Sequence, residues 1–435
     1  MQFLAILRDS LRETLDSKLF HVMVGLSLLL SLFVGSVTYR PVSMEQQVRL
    51  LTDLLNLQLR NQEQTRGLDL RLDVEDFQRL DDRPEPWLGS YRFTYRLKVP
   101  AQADTPPDRD RDAEALAHKL SAAELQRTLR DMLPWVEGLR VEALEAPGPG
   151  ELRFQVSTQG TRIKTRQQWF HQPALFFGAL PLPWLTVVSL DQIMKVIGDD
   201  VVGTWGTAFT MLLSTVITAF FIPNMLHKGT IDLLLAKPIH RVTLLLYKFV
   251  GGLLFMFLNT VVIMAGIWLG LGVQTGVWTN SFLLCIPIFT FQFAIFYAVS
   301  ALVGVLTRSA IVSILAVVLT WGVLFLVGWT HWHWVEKGRD QREAPHWTRA
   351  ACDAVHAVLP RYKDLDWLTS RMIKAELLEP ADPGDEEQER AYRRQLQELD
   401  KQYGSYHWAD SLAVSGAFIA VMLGLACWRF SAKDY

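Results

Sequence analysis

The sequence is poor in cysteine and lacks the motifs of common catalytic centres. Only three cysteines occur among 435 residues, and two of them, Cys285 and Cys427, fall in apolar runs. We therefore expect no internal disulfide framework. No GxxxxGK[ST] phosphate loop, GxSxG, HExxH or paired CxxC is present. The sequence thus predicts no phosphate-binding loop for ATP, no catalytic residues, no cofactor and no metal centre.

The net charge is small, and several long runs contain no charged residue. The formal net charge is −2, which gives no basis for a nucleic-acid partner. Six long apolar runs contain no Lys, Arg, Asp or Glu, and a helix of about 20 such residues crosses a bilayer core of about 30 Å. These runs predict six transmembrane helices, at Phe20–Val37, Val201–Ile222, Phe249–Leu271, Phe282–Leu306, Ile311–Trp329 and Leu412–Trp428.

Basic residues in the short loops predict the orientation of the chain. The loop between the second and third runs contains Lys228, Lys237, Arg241 and Lys248, whereas Gly272–Ser281 contains no basic residue. The positive-inside rule therefore places the first of these loops in the cytoplasm. With six spans, both termini lie on the same side, so the sequence predicts a multi-pass protein of the cell (plasma) membrane with cytoplasmic termini.

The predicted fold is an α-helical integral membrane protein with six transmembrane helices and an inserted extracytoplasmic α+β domain. Hydrophobic periodicity in the first 18 residues predicts an amphipathic helix at the membrane interface. The predicted division is an interfacial helix at 1–18, the first transmembrane helix at 19–39, an extracytoplasmic α+β domain and interfacial segment at 40–199, transmembrane helices 2–5 with a cytoplasmic coupling loop (226–248) at 200–329, an extracytoplasmic helical region at 330–408, and the sixth transmembrane helix with a cytoplasmic tail at 409–435.

Alternating apolar residues predict the strands of the inserted domain, and a capping box at Ser121–Glu124 predicts a helix that continues to Met132. One predicted strand, Tyr91–Val99, carries Arg92, Arg96 and Lys98 on its polar face. That face could bind an anion, although a solvated sheet face is the more common role. The other predicted strands are Leu68–Val74, Leu139–Leu144 and Leu152–Val156. Leu175–Leu190 is apolar but interrupted by two prolines, which is typical of an interfacial segment.

A few polar side chains lie within the predicted spans. Asn259, Thr290 and Gln292 are candidates for a transport pathway, although hydrogen bonding to a neighbouring helix is the more common role. A GxxxG pattern at Gly266 and Gly270 permits close helix packing. His331 and His333 are spaced so that they could bind a metal. Because no local residue completes such a site, we favour an aromatic belt at the membrane interface.

The most informative stretch is the cytoplasmic loop that contains GTIDLLLAKPIHR. This stretch resembles the conserved loop of type 2 ABC transporter permeases, the transmembrane subunits of ABC exporters, and the nearest group is the permeases associated with multi-copper-enzyme maturation. The C-terminal WRFSAKDY is similar to the end of these proteins. The residues that match the loop pattern are Gly229, Thr230, Asp232, Leu233, Leu234, Leu235, Lys237, Pro238 and Arg241.

The resemblance implies a permease that forms a translocation pathway as a dimer. Separate ABC ATPase subunits would dock on loop 226–241 and hydrolyse ATP, so the chain itself would not be an enzyme. The expected partners are an ABC ATPase, a second permease copy or a paralogue, membrane lipid and a transported substrate. Two alternatives stay open: a non-transporting scaffold or sensor whose extracytoplasmic domain binds a ligand or partner, and a membrane enzyme acting at His331 and His333.

Overall fold

The structure of the protein is a computed structural model, and it describes about two thirds of the chain. Those residues are 18–61, 71–83, 85, 87–98, 122–133, 135–145, 151–163, 168–182, 189–198, 219, 223, 240–333, 346–378, 386–404 and 406–432. The predicted interfacial helix at 1–18 and the span Val201–Ile222 lie outside the described residues, apart from Lys18 and Ala219. So do the coupling residues 229–238.

The chain divides into two compact units. One comprises Met1–Ser36 and Met194–Tyr435, and the other comprises Val37–Ile193. The first is the membrane unit, and the second is called here the α+β unit.

Within the described residues of the membrane unit, four helices are long and apolar enough to cross a bilayer. They coincide with four of the predicted runs and extend each of them at both ends. The first helix of the chain, α1 (Lys18–Gly35), contains a shorter apolar segment, His21–Gly35. The four long helices are α5 (Arg241–Thr275), α6 (Ser281–Thr307), α7 (Ala310–His331) and α11 (Trp408–Ala432).

Between α7 and α11 the described residues form three further helices: α8 (His346–Val358), α9 (Tyr362–Leu378) and α10 (Glu386–Tyr403). All three helices lie between residues 330 and 408, where the sequence predicts a helical region. Eight side chains of α9 are buried, far more than an amphipathic surface helix requires. The helix therefore has neighbours on several sides, and its contacts define the site described below.

The α+β unit contains a four-stranded antiparallel sheet with the order β2–β3–β6–β5. Its strands confirm the predicted alternation: Leu72, Phe93, Tyr95 and Val156 are buried on one face. Helices α2 (Met44–Asn61) and α3 (Ala122–Met132) contribute to the same core. The strands are β2 (Arg71–Arg79), β3 (Tyr91–Lys98), β5 (Arg140–Leu144) and β6 (Glu151–Ser157).

On the polar face of this sheet, arginine side chains meet carboxylates. Arg96 Nη1 donates to Glu75 Oε1 at 2.9 Å and also contacts Glu151. Arg71 pairs with Asp73 at 3.0 Å. Because neighbouring carboxylates balance these cations, the observed pairing favours a solvated, ion-paired face over an anion site.

A second sheet, with the order β1–β8–β9, was not predicted. It joins β1 (Thr38–Pro41), β8 (His171–Leu175) and β9 (Leu180–Pro181). A short ladder pairs β4 (Val136–Glu137) with β7 (Gly160–Thr161). The helix α4 (Leu190–Val196) follows near the end of the unit. Only the end of β8, the turn and β9 fall within Leu175–Leu190, the segment for which the sequence predicts an interfacial location.

Candidate functional site

Helix α9 packs antiparallel against α6, and it extends to the middle of that long apolar helix. The Glu376 carboxylate accepts hydrogen bonds from the backbone N–H groups of Asn280 and Ser281, both at 2.7 Å, where α6 begins. At the other end of α9, the ring of Tyr362 meets that of Phe296 edge to face at 5.2 Å. Phe296 lies about 22 Å along α6 from Ser281. Helix α9 therefore follows α6 through about half of the α6 length.

Buried charges lie along this contact. Asp366 is 4% exposed, and its Oδ1 accepts a hydrogen bond of 2.8 Å from Gln292 Nε2 of α6. Its Oδ2 accepts from Lys363 Nζ at 3.1 Å, and the ammonium also lies 5.2 Å from the centre of the Phe325 ring on α7. A buried carboxylate is tolerated only when it is paired in this way. The Asp366 group thus joins α6, α7 and α9.

A second polar group connects α7, α8 and α9. His356 Nε2 lies 3.0 Å from Asp364 Oδ1, and both side chains are buried. His331 Nε2 lies 3.1 Å from Asp353 Oδ1, and the rings of His331 and His356 stack with their centres 3.8 Å apart. Each imidazole thus has its own carboxylate partner, one on α8 and one on α9.

The turn between α8 and α9 contacts α11, and the first residues of α9 approach α7. The backbone N–H of Arg361 donates to Ser415 Oγ of α11 at 3.1 Å. A Cβ atom at Gly328 of α7 would lie 2.9 Å from Lys363 Cγ, so the absence of a side chain there permits the close approach of α7 to α9. We call the set of Gln292, His331, His356, Lys363, Asp364 and Asp366 the polar junction.

The three pathway candidates all make hydrogen bonds inside the helix bundle. Asn259 of α5 is fully buried, and its Oδ1 accepts from Ser27 Oγ of α1 at 2.7 Å. Thr290 donates to the carbonyl of Ile286 in its own helix. Gln292 belongs to the polar junction. Of the predicted coupling residues, the structure describes only Arg241, which is the first residue of α5.

The sequence contained little signal for the polar junction. Asp364 and Asp366 lie in a helix of mixed polarity, for which the simplest prediction is a surface position. The sequence indicates His331 as a possible metal ligand, but its partners Asp353 and His356 are more than twenty residues away in the chain. No group of three or more His, Cys, Asp or Glu side chains in the described part of the chain is arranged to hold a metal ion.

Several apolar helices of spanning length, with a helix packed between them, define a multi-pass membrane protein. Comparison with known families identifies it further: the family described as ABC-2 family transporter protein matches residues 4–435, so the chain belongs to this family. Such proteins are the permease subunits of transporters and not enzymes themselves, and the family implies association with an ABC ATPase subunit. No curated protein and no solved structure matches the chain.

Proposed function

We propose that the chain is one half of an ABC transporter permease and that loop 226–241 receives the movement of a separate ATPase. Two copies, or one copy and a paralogue, would enclose the pathway. Nucleotide binding would shift the pair between inward-open and outward-open states. An ATPase can shift that equilibrium only if it binds the two states with different affinity, so its docking surface must move with the spans.

The observation that supports this coupling is the continuity of α5. The helix begins at Arg241, where the proposed docking loop ends, and continues for 35 residues. Its length is about 52 Å, which exceeds the bilayer core by about 20 Å. It contains no proline, the residue that most often kinks a helix. A displacement at Arg241 would therefore move the whole helix.

Contacts along α5 would carry the movement to its neighbours. The rings of Phe249 and Tyr297 stack at 4.9 Å between α5 and α6, and Tyr297 also packs against Gly252. Helix α6 in turn contacts the polar junction through Gln292. Coupling of this kind passes through packed elements that have two discrete arrangements. We infer that the polar junction holds one of the two arrangements of α6, α7 and α9.

The packing of α1 on α5 supports the six-span topology. Ser27 contacts Asn259, Ser31 contacts Gly266, and Gly35 contacts Gly270, so the two helices run in parallel. If both cross the bilayer, an odd number of crossings must lie between residues 36 and 240. The sequence offers one run of spanning length there that contains neither charge nor proline, Val201–Ile222. Six crossings place both termini on the side that carries the basic loops, in the cytoplasm.

The decisive experiment is affinity purification of the chain from its native membrane in mild detergent, with mass spectrometry of the proteins retained. A variant with Leu234→Asp and Arg241→Glu is compared with the wild type. Leu80→Asp with Arg127→Glu is a matched control, because it makes the same charge changes at exposed positions of the α+β unit.

We expect an ABC ATPase with the wild type and the control but not with the loop variant. Retention of the ATPase by a correctly folded loop variant would disprove docking at this loop. Absence of any ATPase from all three samples would favour the scaffold or sensor alternative. Cross-linking of the purified wild type in membranes would then show whether two copies pair.

A further inference from the structure

The outward face of α8 is apolar. Trp347, Val355 and Val358 have exposed fractions of 73%, 46% and 76%. Together with Ala351, which is also exposed, they recur at i, i+4, i+8 and i+11, a spacing that places all four on one face of the helix. Exposed apolar side chains on a water-facing surface usually occur singly, so a continuous face of this kind indicates an apolar environment.

The inward side of α8 carries its polar side chains. His356 is buried, where it stacks on His331 of α7 and contacts Asp364 of α9. Asp353, on the same side of the helix, contacts His331. A helix at a water-facing surface has the reverse arrangement, with its apolar stripe toward the protein and its polar side toward solvent.

Helix α10, which belongs to the same stretch of chain, shows that reverse arrangement. Leu396 and Leu399 are half-buried. The exposed residues in the middle of α10 are all polar: Arg393, Arg394, Gln395, Gln397 and Glu398. The two helices therefore face different surroundings, water for α10 and an apolar medium for α8.

The depth of the α8–α9 turn follows from its contacts with three helices of spanning length. Residues 361–363 contact Phe296 of α6, Gly328 of α7 and Ser415 of α11. Each partner lies inside a run without charged residues, and such runs occupy the hydrocarbon core of a bilayer. The three runs are Phe282–Leu306, Ile311–Trp329 and Leu412–Trp428. The turn therefore lies below the membrane surface.

The backbone of the turn suits this depth. A non-helical segment inside a bilayer must have its backbone polar groups paired within the protein, because lipid offers no hydrogen bonds. The Leu359 N–H donates to the carbonyl of Val355 at 3.1 Å, and Pro360 has no N–H. The Arg361 N–H donates to Ser415 Oγ at 3.1 Å. These three positions leave no N–H group that requires water.

We propose that α8 and α9 form a hairpin that enters the bilayer from the side on which α7 ends and α11 begins, and that acyl chains cover the outward face of α8. The occupant is lipid, because Leu326 and Trp329, which flank Gly328 in α7, are exposed at the same depth. Lipid that surrounds this part of α7 also reaches α8. The predicted extracytoplasmic region 330–408 would then be divided, with α10 outside the membrane and the α8–α9 turn inside it.

The proposal rests on α6, α7 and α11 crossing a bilayer, as in a multi-pass membrane protein. It does not depend on which side is cytoplasmic or on ATPase docking at loop 226–241. Retention of the ATPase by the loop variant would contradict the proposed coupling and leave the hairpin unaffected.

The test measures the environment of a spin label in the full chain, reconstituted in lipid nanodiscs. Val358→Cys introduces the label on the outward face of α8. Gln395→Cys on α10 is the control for water, and Leu319→Cys, at an exposed position of α7, is the control for lipid. Collision rates of the label with oxygen, which concentrates in lipid, and with a water-soluble nickel complex are compared. The native thiols are removed by Cys285→Ala, Cys352→Ser and Cys427→Ala.

We expect oxygen collisions to exceed nickel collisions at positions 358 and 319, and the reverse at position 395. Greater nickel accessibility at position 358 would overturn the proposal, because it would place α8 in water. Low accessibility to both reagents would also overturn it, because it would show that protein, such as a second copy of the chain, covers this face.

A series of labels along α8 tests whether the helix enters the bilayer or lies flat on it. The ratio of oxygen to nickel collisions should rise from Trp347→Cys through Val355→Cys to Val358→Cys, since the contacts of residues 361–363 place the end of α8 deeper than its beginning. A ratio that stays the same at all three positions would show that α8 lies along the membrane surface, and it would overturn the hairpin.

Discussion

Two helix contacts of the membrane unit differ in the forces that hold them. The α1–α5 contact joins small residues: Gly35 meets Gly270, Ser31 meets Gly266, and one hydrogen bond links Ser27 to Asn259. The α6–α9 contact instead buries charges. The first depends on close van der Waals packing, which has one optimum. The second depends on paired charges, whose partners can change.

This difference suggests separate roles in transport. A contact fixed by shape keeps α1 and α5 together as one body. A contact fixed by polar partners can exist in two arrangements that differ by a few kcal/mol, as a switching element requires. We therefore expect substitutions in the polar junction to alter stability more than substitutions between α1 and α5, and the following predictions test that order.

The largest effect is expected at Lys363. Lys363→Met leaves the buried carboxylate of Asp366 without its cation, which should lower the free energy of unfolding by about 3–5 kcal/mol. The double variant Lys363→Met with Asp366→Leu removes both charges and should recover most of the loss. Denaturant titration in mixed micelles measures both. Equal losses in the single and double variants would show that the ion pair is not the source of the effect.

The next effect is expected at Gly270. A Cβ atom there would lie 2.7 Å from the Cα of Gly35, so Gly270→Ala must push the two backbones apart and should cost about 1–3 kcal/mol. Gly322→Ala in α7 is the matched control, because a Cβ there meets no atom within 4 Å. The control should be neutral or stabilising, since alanine favours a helix. Similar losses of unfolding free energy in Gly270→Ala and Gly322→Ala would contradict a close backbone contact between Gly35 and Gly270.

A smaller effect is expected at Glu376, which caps α6 from α9. Glu376→Ala removes the acceptor of the Asn280 and Ser281 amides and should cost about 0.5–2 kcal/mol, the usual range for a lost helix cap. Glu376→Gln keeps one oxygen acceptor and should lose less. Hydrogen exchange at the start of α6 should accelerate in the order wild type, Gln, Ala. Unchanged hydrogen exchange in the alanine variant would show that Glu376 does not cap α6.

The smallest effect is expected at Ser27. Ser27→Ala removes the hydrogen bond to Asn259, and such bonds between membrane helices average about 0.6 kcal/mol. Thr290→Val is the control, because its hydroxyl bonds within its own helix. Both variants are compared by unfolding and by transport rate. A transport defect with unchanged stability in Thr290→Val would support the prediction that Thr290 lines the transport pathway.

Parts of the molecule with strong local patterns could be predicted from the sequence. Runs without charge predicted α5, α6, α7 and α11. Alternation of apolar and polar residues predicted strands of the four-stranded sheet, including β3, which contains Tyr95. Helix α2 and the β1–β8–β9 sheet were missed, the latter because its strands are short and β1 pairs with a strand that begins 130 residues later in the chain.

The sequence by itself determined which segments are apolar enough to enter a bilayer and which loop resembles an ATPase-coupling loop, because both depend on residues that are close together in the chain. Only the tertiary structure decided where the polar residues go. Asn259 pairs with α1, Gln292 pairs with Asp366, and His331 stacks on His356, across separations of 232, 74 and 25 residues. A buried polar group must form a hydrogen bond or ion pair with a residue that the fold places next to it, because leaving it unpaired is costly. That partner is distant in the chain, so the local sequence does not predict it.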